Sequence, residues 1–272
     1  MNYIQIERPQ DDIAIIKINR PEVLNAINVH VIAELSSADE SVKVVIITGK
    51  GERSFCPGAD IRYVVNMDPI ETERYASLVH TVLNKIENLE KPVIAINGYA
   101  LGGGCEITLA CDIRTASVNA KIDQTEVKIG IPPGWGGTHR MLRILGPAKA
   151  KELVFTGEII TVDEALKIGL VNKVVSLDTK SDVLIRSSEE DEEQIRKLST
   201  QTEEEAPILL NKKLMDEFIK LGGEITKNSY NAVKVSKMLI NKGMDADLGW
   251  ALCFAHEDTQ AMMSAFLNMG KR

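Results

Sequence analysis

Residues 42–48 read VKVVIIT, an almost unbroken run of β-branched apolar side chains stopped by Gly49-Lys50-Gly51. A strand with one wet face alternates polar and apolar residues. A continuous run needs cover on both faces, so it belongs inside a sheet with a layer on either side. Residues 92–97 (PVIAIN) read as another buried strand, and residues 13–18 as a β-branched strand that ends at Asn19-Arg20-Pro21. Shorter strands are predicted at 113–116 and 171–175.

Helical patterns lie between these strands. Tyr75, Leu78, Val79, Val82, Leu83 and Ile86 make one apolar stripe along residues 69–88. A short helix is expected within 25–35, capped by Asn25 or Asn28. Residues 138–145 and 147–155 read as two helical stretches parted by Gly146, with Pro147 suited to a first helical position. Thr161 is the expected cap of a helix over 162–168, while 54–60 and 98–104 read as a loop and a glycine-rich turn. Apolar strands alternating with helices predict an α/β fold. From Leu214 onward only helical patterns remain.

The organisation that follows is a core over residues 1–178, a segment over 179–213 and a helical region over 214–272. The middle segment holds the acidic runs EEDEE (189–193) and EEE (203–205). It reads either as a solvated insertion or linker, or as a charged surface helix. The formal net charge of -7 argues against a nucleic-acid or anionic-membrane surface, both of which want a basic excess. Residues 1–12 carry no apolar leader, and no apolar run approaches the roughly 18 residues of a membrane span. Cys56, Cys105, Cys111 and Cys253 have no zinc spacing and read as reduced, mostly buried thiols. Cytoplasm is the expected location. His30, His80, His139 and His256 form no local metal spacing.

Three segments carry candidate chemistry. Asn97-Gly98-Tyr99-Ala100-Leu101-Gly102-Gly103-Gly104-Cys105-Glu106 runs from strand through a glycine turn into a helix start. Free N–H groups and a positive dipole end there can hold a phosphate or a developing oxyanion. The spacing matches neither a P-loop nor a dinucleotide fingerprint. Ser54-Phe55-Cys56-Pro57-Gly58-Ala59-Asp60 is a second loop able to present a backbone N–H. Glu126 precedes the rigid segment Gly130-Ile131-Pro132-Pro133-Gly134-Trp135-Gly136-Gly137. Singly, each has an ordinary reading as a turn, a dipole-favouring glutamate or a surface carboxylate.

In this order and spacing, FCPGAD, GYALGGGCE and a glutamate before GIPPGWGG resemble the enoyl-CoA hydratase/isomerase (crotonase) superfamily, and within it the hydratase branch. Phe155-Thr156-Gly157-Glu158 and the stretch from Glu164 to Val171 are similar to it as well. The resemblance implies a spiral of ββα units with a C-terminal helical region, assembled as a trimer or a dimer of trimers. It implies an oxyanion hole made by the N–H groups of Ala59 and Gly103. Glu106 would activate water, Glu126 would supply the proton at C2, and Gly134 would help hold the water by its N–H. Cys56, Pro57, Asp60, Ile61, Trp135, Phe266 and Lys271 would contact substrate; Asp60 also reads as a structural turn residue and Trp135 as a core aromatic. The partner would be an acyl-CoA thioester, with coenzyme A entering as part of the substrate and no metal or separate cofactor required. The rival readings are an enoyl-CoA isomerase, which needs one placed carboxylate, and a non-catalytic acyl-CoA-binding or assembly protein.

Overall fold

The computed structural model describes residues 3–35, 42–95, 98–177, 192–243 and 245–269. Strands β1 (Ile4–Gln10), β2 (Ile13–Ile18) and β3 (Val44–Gly49) enclose α1 (Val29–Leu35). Then come β4 (Ser54–Cys56), α2 (Ile61–Val64), α3 (Pro69–Glu87), β5 (Val93–Ala95), β6 (Tyr99–Leu101) and α4 (Gly103–Leu109). Next are β7 (Ile113–Ser117), β8 (Lys121–Asp123), α5 (Gly137–Thr156), β9 (Ile160–Thr161), α6 (Val162–Lys167) and β10 (Lys173–Val175). Helices α7 (Glu192–Thr226), α8 (Tyr230–Lys242), α9 (Ala246–Phe254) and α10 (Glu257–Met269) complete the order.

Two sheets share these strands. The larger has the order β1-β2-β3-β5-β7-β10 and the smaller β4-β6-β8-β9. The pairs β3–β4, β5–β6 and β7–β8 each give one strand to each sheet, and helices follow each pair. The chain therefore winds as a spiral of ββα units, as the resemblance implies. Within the large sheet only β1 runs antiparallel to its neighbour; in the small one β9 does so.

The apolar runs are buried on both faces, and period two divides them between two cores. Ala14, Ile16, Ile18, Val45 and Ile47 face the main core with Val79, Leu83 and Phe55. Ile13, Ile15, Val44 and Ile46 face the opposite way, where Leu210, Leu214 and Phe218 of α7 cover them. Phe218 is fully buried. Phe218→Ala is expected to cost about 3–5 kcal/mol, measured as a lower urea midpoint at an unchanged denaturant slope.

Local signals behave as chemistry dictates. Asn28 caps α1, its Oδ1 accepting the N–H groups of His30 and Val31 at 3.1 Å. Asn25 does other work: at φ 69°, its side chain ties Arg20, Lys50 and Ser54 together. Asp68 and Glu71 form a reciprocal capping box at the start of α3. Gly146, at φ 76°, breaks α5 where two stretches are expected. Thr161 Oγ1 accepts the Glu164 N–H at the start of α6.

The segment expected over 179–213 lies partly outside the described residues. From Glu192 it is helix, and α7 runs unbroken through the second acidic run and past Lys213. No helix among the described residues is long and apolar enough to cross a membrane.

Candidate active site

The small sheet assembles the site. Its neighbours β4, β6 and β8 run parallel, so their C-terminal ends lie side by side. From these ends emerge the Cys56–Asp60 loop, the Gly102 turn into α4, and the turn that begins at Glu126. Strand β6 pairs Leu101 with Asp123 of β8, and the Gly102 N–H donates to the Asp123 carbonyl at 2.7 Å. Gly102 has φ 52°, ψ −124°, a conformation that side-chain-bearing residues rarely adopt. A Cβ there would also stand 3.3 Å from Glu126 Oε1, so the second glutamate sits directly against this turn.

Two backbone donors meet beside it. The Ile27 N–H donates to Gly58 O and the Asp60 N–H to Ile27 O. That parallel bridge points the Ala59 N–H away from Ile27. Gly103 opens α4, where a first-turn N–H has no partner inside the helix. Neither amide makes a hydrogen bond among the described residues. The Gly103 nitrogen lies 2.8 Å from where a Cβ on Gly58 would be, so the two segments are in close approach.

Glu106 lies one turn into α4 and is 1% exposed. Its Oε1 accepts the Trp135 N–H at 2.8 Å and the Gly137 N–H at 2.7 Å. Glu126 is also buried, and neither of its carboxyl oxygens has a hydrogen-bond partner among the described residues. Burial pushes Glu106 up to about 8, against the two N–H donors and with a further push from the Glu126 charge. Burial likewise raises Glu126 to about 6. Coupled carboxyls titrate as a pair, so near neutrality this pair holds about one proton. Taken residue by residue, that order would leave the proton on Glu106. The hydrogen bonds argue for Glu126: two donors stabilise the Glu106 anion, whereas among the described residues no neighbouring donor reaches the Glu126 carboxyl.

The other expected residues fall as follows. Cys56 is buried at the end of β4, and its Sγ accepts the Gly58 N–H. Burial pushes the Cys56 and Cys111 thiols up to about 12 and Cys105 higher still, which disfavours thiolate chemistry. Pro57 is half-buried in the same loop, and Ile61 is half-exposed at the start of α2. Asp60 is engaged by Arg20 at 2.9 Å. Trp135 is 5% exposed; its indole lies against Gly103 and meets Tyr75 edge-on at 6.0 Å. It fills the core and walls the site at once. Gly134, one residue earlier, is exposed and borders a shallow recess with His80 and Asn84. Phe266 is 76% exposed on α10, which packs on α9, so this chain alone does not carry it to the glutamates. Lys271 lies outside the described residues.

Sequence reasoning missed the N–H groups of Trp135 and Gly137 as the fork that grips Glu106. The glycine-rich spacing of GWGG was the available signal, since only bare backbone there lets two consecutive turns approach a carboxylate. It also missed Asp123, buried with both oxygens unpartnered, which burial raises to about 7.

The enoyl-CoA hydratase/isomerase family model matches residues 8–207. The chain is 40% identical to a short-chain-enoyl-CoA hydratase of Clostridium acetobutylicum, covering 100% of this chain and 97% of that one. It is 38% identical to a crotonyl-CoA hydratase of Syntrophomonas wolfei, over 96% and 94% of the two chains. A crystal structure of an enoyl-CoA hydratase from Bacillus anthracis superposes with a TM-score of 0.80 at 29% identity, covering 98% of this chain and 96% of that one. By sequence match over most of its length and by its spiral of ββα units, the chain belongs to the enoyl-CoA hydratase/isomerase (crotonase) family.

Proposed function

We propose that this chain adds water across the double bond of short 2-enoyl-CoA thioesters. The reaction is reversible. The observation that carries the reading is that two buried carboxyls, Glu106 and Glu126, interact electrostatically and lie beside two amides, Ala59 and Gly103, that have no hydrogen-bond partner among the described residues. The names of the two relatives above make a short acyl chain the first substrate class to try.

The geometry supports an acid–base addition. The thioester oxygen accepts from the Ala59 and Gly103 N–H groups. Glu106, kept anionic by its fork, takes a proton from water as that oxygen bonds to C3. The π electrons shift toward the thioester oxygen, where two fixed donors meet the growing charge more strongly than they meet the ground state. Glu126, kept neutral by burial with no neighbouring donor among the described residues, delivers its proton to C2. One proton gained and one lost leave the pair reversed, and exchange with solvent resets it. Gly134 remains a candidate for holding the water by its N–H. The reading requires no metal or separate cofactor.

The test is the ultraviolet enone absorbance of crotonyl-CoA, which purified protein should abolish. An isomerase would leave that signal and convert a 3-enoyl-CoA instead. A binder would retain acyl-CoA and turn over neither. Glu126→Gln is expected to lower kcat by about 10²–10⁴-fold with acyl-CoA binding retained; parental turnover in that variant removes Glu126 from the mechanism.

A further inference from the structure

Trp135 is gripped at both ends. Its N–H donates to Glu106 Oε1, and its carbonyl accepts from Arg140 Nη1 at 2.9 Å. Arg140 is 2% exposed. Its two remaining contacts reach α3: Nε donates to Glu87 Oε2 at 2.9 Å and Nη2 to Asn84 Oδ1 at 2.7 Å. The planar guanidinium thus spends its three nitrogens on three acceptors, a pattern no ammonium can copy. Glu87 is itself held by Arg143 and, through its carbonyl, by Asn241 of α8. The loop that presents the Glu106 fork is therefore tied to a rigid helix by one buried cation.

We propose that Arg140 is a positioning residue for Glu106: it fixes the Trp135–Gly137 segment and places a positive charge behind the carboxylate. This rests on the hydratase reading. A purely architectural arginine would bridge α5 to α3 and leave the Trp135 carbonyl alone. Here the bond runs through the same residue that holds the reacting carboxyl, so a shift of the guanidinium moves the fork. Displacements of about 1 Å at such a distance from the chemistry can cost on the order of 100-fold in rate.

Facing Arg140 are Glu87 from α3, with His80 nearby, Arg143 from its own helix and Cys111 just beyond α4. Asp112, Arg114 and Lys237 line the same cavity, where Lys237 is paired with Asp112 at 2.7 Å. Around Glu106 stand Glu126, Cys105 and Asp123. Arg140 is the cation whose charge favours the Glu106 anion. Losing it therefore raises the proton affinity of Glu106 and moves the acid limb of the rate profile to higher pH.

Three variants separate the possibilities. Arg140→Gln should lower kcat for crotonyl-CoA by on the order of 100-fold, leave KM little changed and shift the acid limb upward. Arg140→Lys should bring the limb back toward the parental value while kcat stays low, because it restores charge without the three-way grip. Arg143→Gln, at a 57% exposed side chain that makes no bond to Trp135, should behave as the parent. Titration of ¹³C-labelled glutamate carboxyls reads the Glu106 shift without turnover, so it decides the matter even if the parent protein hydrates nothing and the hydratase reading fails. Parental kcat and an unmoved titration in Arg140→Gln overturn the proposal. So does a loss of kcat that merely tracks the unfolded fraction with the limb in place. Should Arg140→Gln fail to fold, Asn84→Ala removes only the 2.7 Å contact; a reduced kcat at unchanged KM supports the proposal and a parental kcat sinks it.

Discussion

Glu106→Gln should abolish most hydration, lowering kcat by about 10²–10⁴-fold, while the protein folds as before. The amide is isosteric, and its oxygen can accept the same two N–H groups from Trp135 and Gly137. What it lacks is a lone pair basic enough to take a proton from water. The stability profile supplies an independent check. Burial raises both carboxyls of the pair, Glu106 from 4.5 to about 8 and Glu126 from 4.5 to about 6, so the folded pair binds its shared proton more tightly than the unfolded chain does. Stability from the pair is present in full below about 4.5 and falls as pH rises toward 8. Removing one carboxyl removes the like-charge partner and so lessens that slope. Glu106→Gln is thus expected to melt at a higher temperature than the parent at pH 8, and little differently at pH 4. A variant that keeps parental turnover excludes Glu106 as the base. A variant whose melting temperature tracks the parent across this pH range excludes a raised carboxyl.

Gly103→Ala is the second large effect. Its Cβ would fall 2.0 Å from Cζ3 of the Trp135 indole, far inside any contact distance. The ring has no easy retreat, because Tyr75 stands against it edge-on and the Trp135 N–H is bound to Glu106. Either α4 shifts its first turn or the indole moves. The first misaims the Gly103 N–H; the second loosens the Glu106 fork. Loss of one oxyanion donor costs about 10²–10³ in kcat, and overpacking a tight core adds about 1–3 kcal/mol of instability. Pairing the change with Trp135→Leu relieves the collision and should recover part of the folding stability. Crotonyl-CoA kinetics alongside thermal melts of both variants would show it. Full activity in Gly103→Ala alone would mean that this amide takes no part.

Much of the architecture was legible in the residues because burial on two faces leaves a plain mark. The runs at 13–18 and 42–48 are interior strands of the large sheet, and Tyr75, Val79, Val82, Leu83 and Ile86 are the buried face of α3, while Leu78 of the same stripe is 42% exposed at its margin. The short strands were not legible. Ser54–Cys56 and Tyr99–Leu101 sit inside segments that read as loop and turn, since three residues cannot display a period of two. Lys121–Asp123 has one apolar side chain and no pattern at all. Strand β1 showed no apolar pattern because Gln5, Glu7, Arg8 and Gln10 outnumber its two isoleucines. The glutamates were proposed from motif order, but the donors that grip Glu106 were not, since backbone N–H groups show in residue type only indirectly, through the glycines that make room for them. Arg140 was invisible for a related reason, since its role lies in reaching a carbonyl five positions back across a loop.

Strands β4, β6 and β8 act as a ruler with three-residue divisions. Where each strand stops sets the place of the amides, the turn at Gly102 and the second glutamate: Ala100 and Leu101 of β6 pair with Ile122 and Asp123 of β8, while β4 reaches Ala100 through a register irregularity between Ser54 and Cys56. A single residue inserted into β6 or β8 would slide one of these elements by a rung and reverse the facing of its side chains. Strand length in β6 and β8 therefore constrains the alignment of the site as tightly as residue type does.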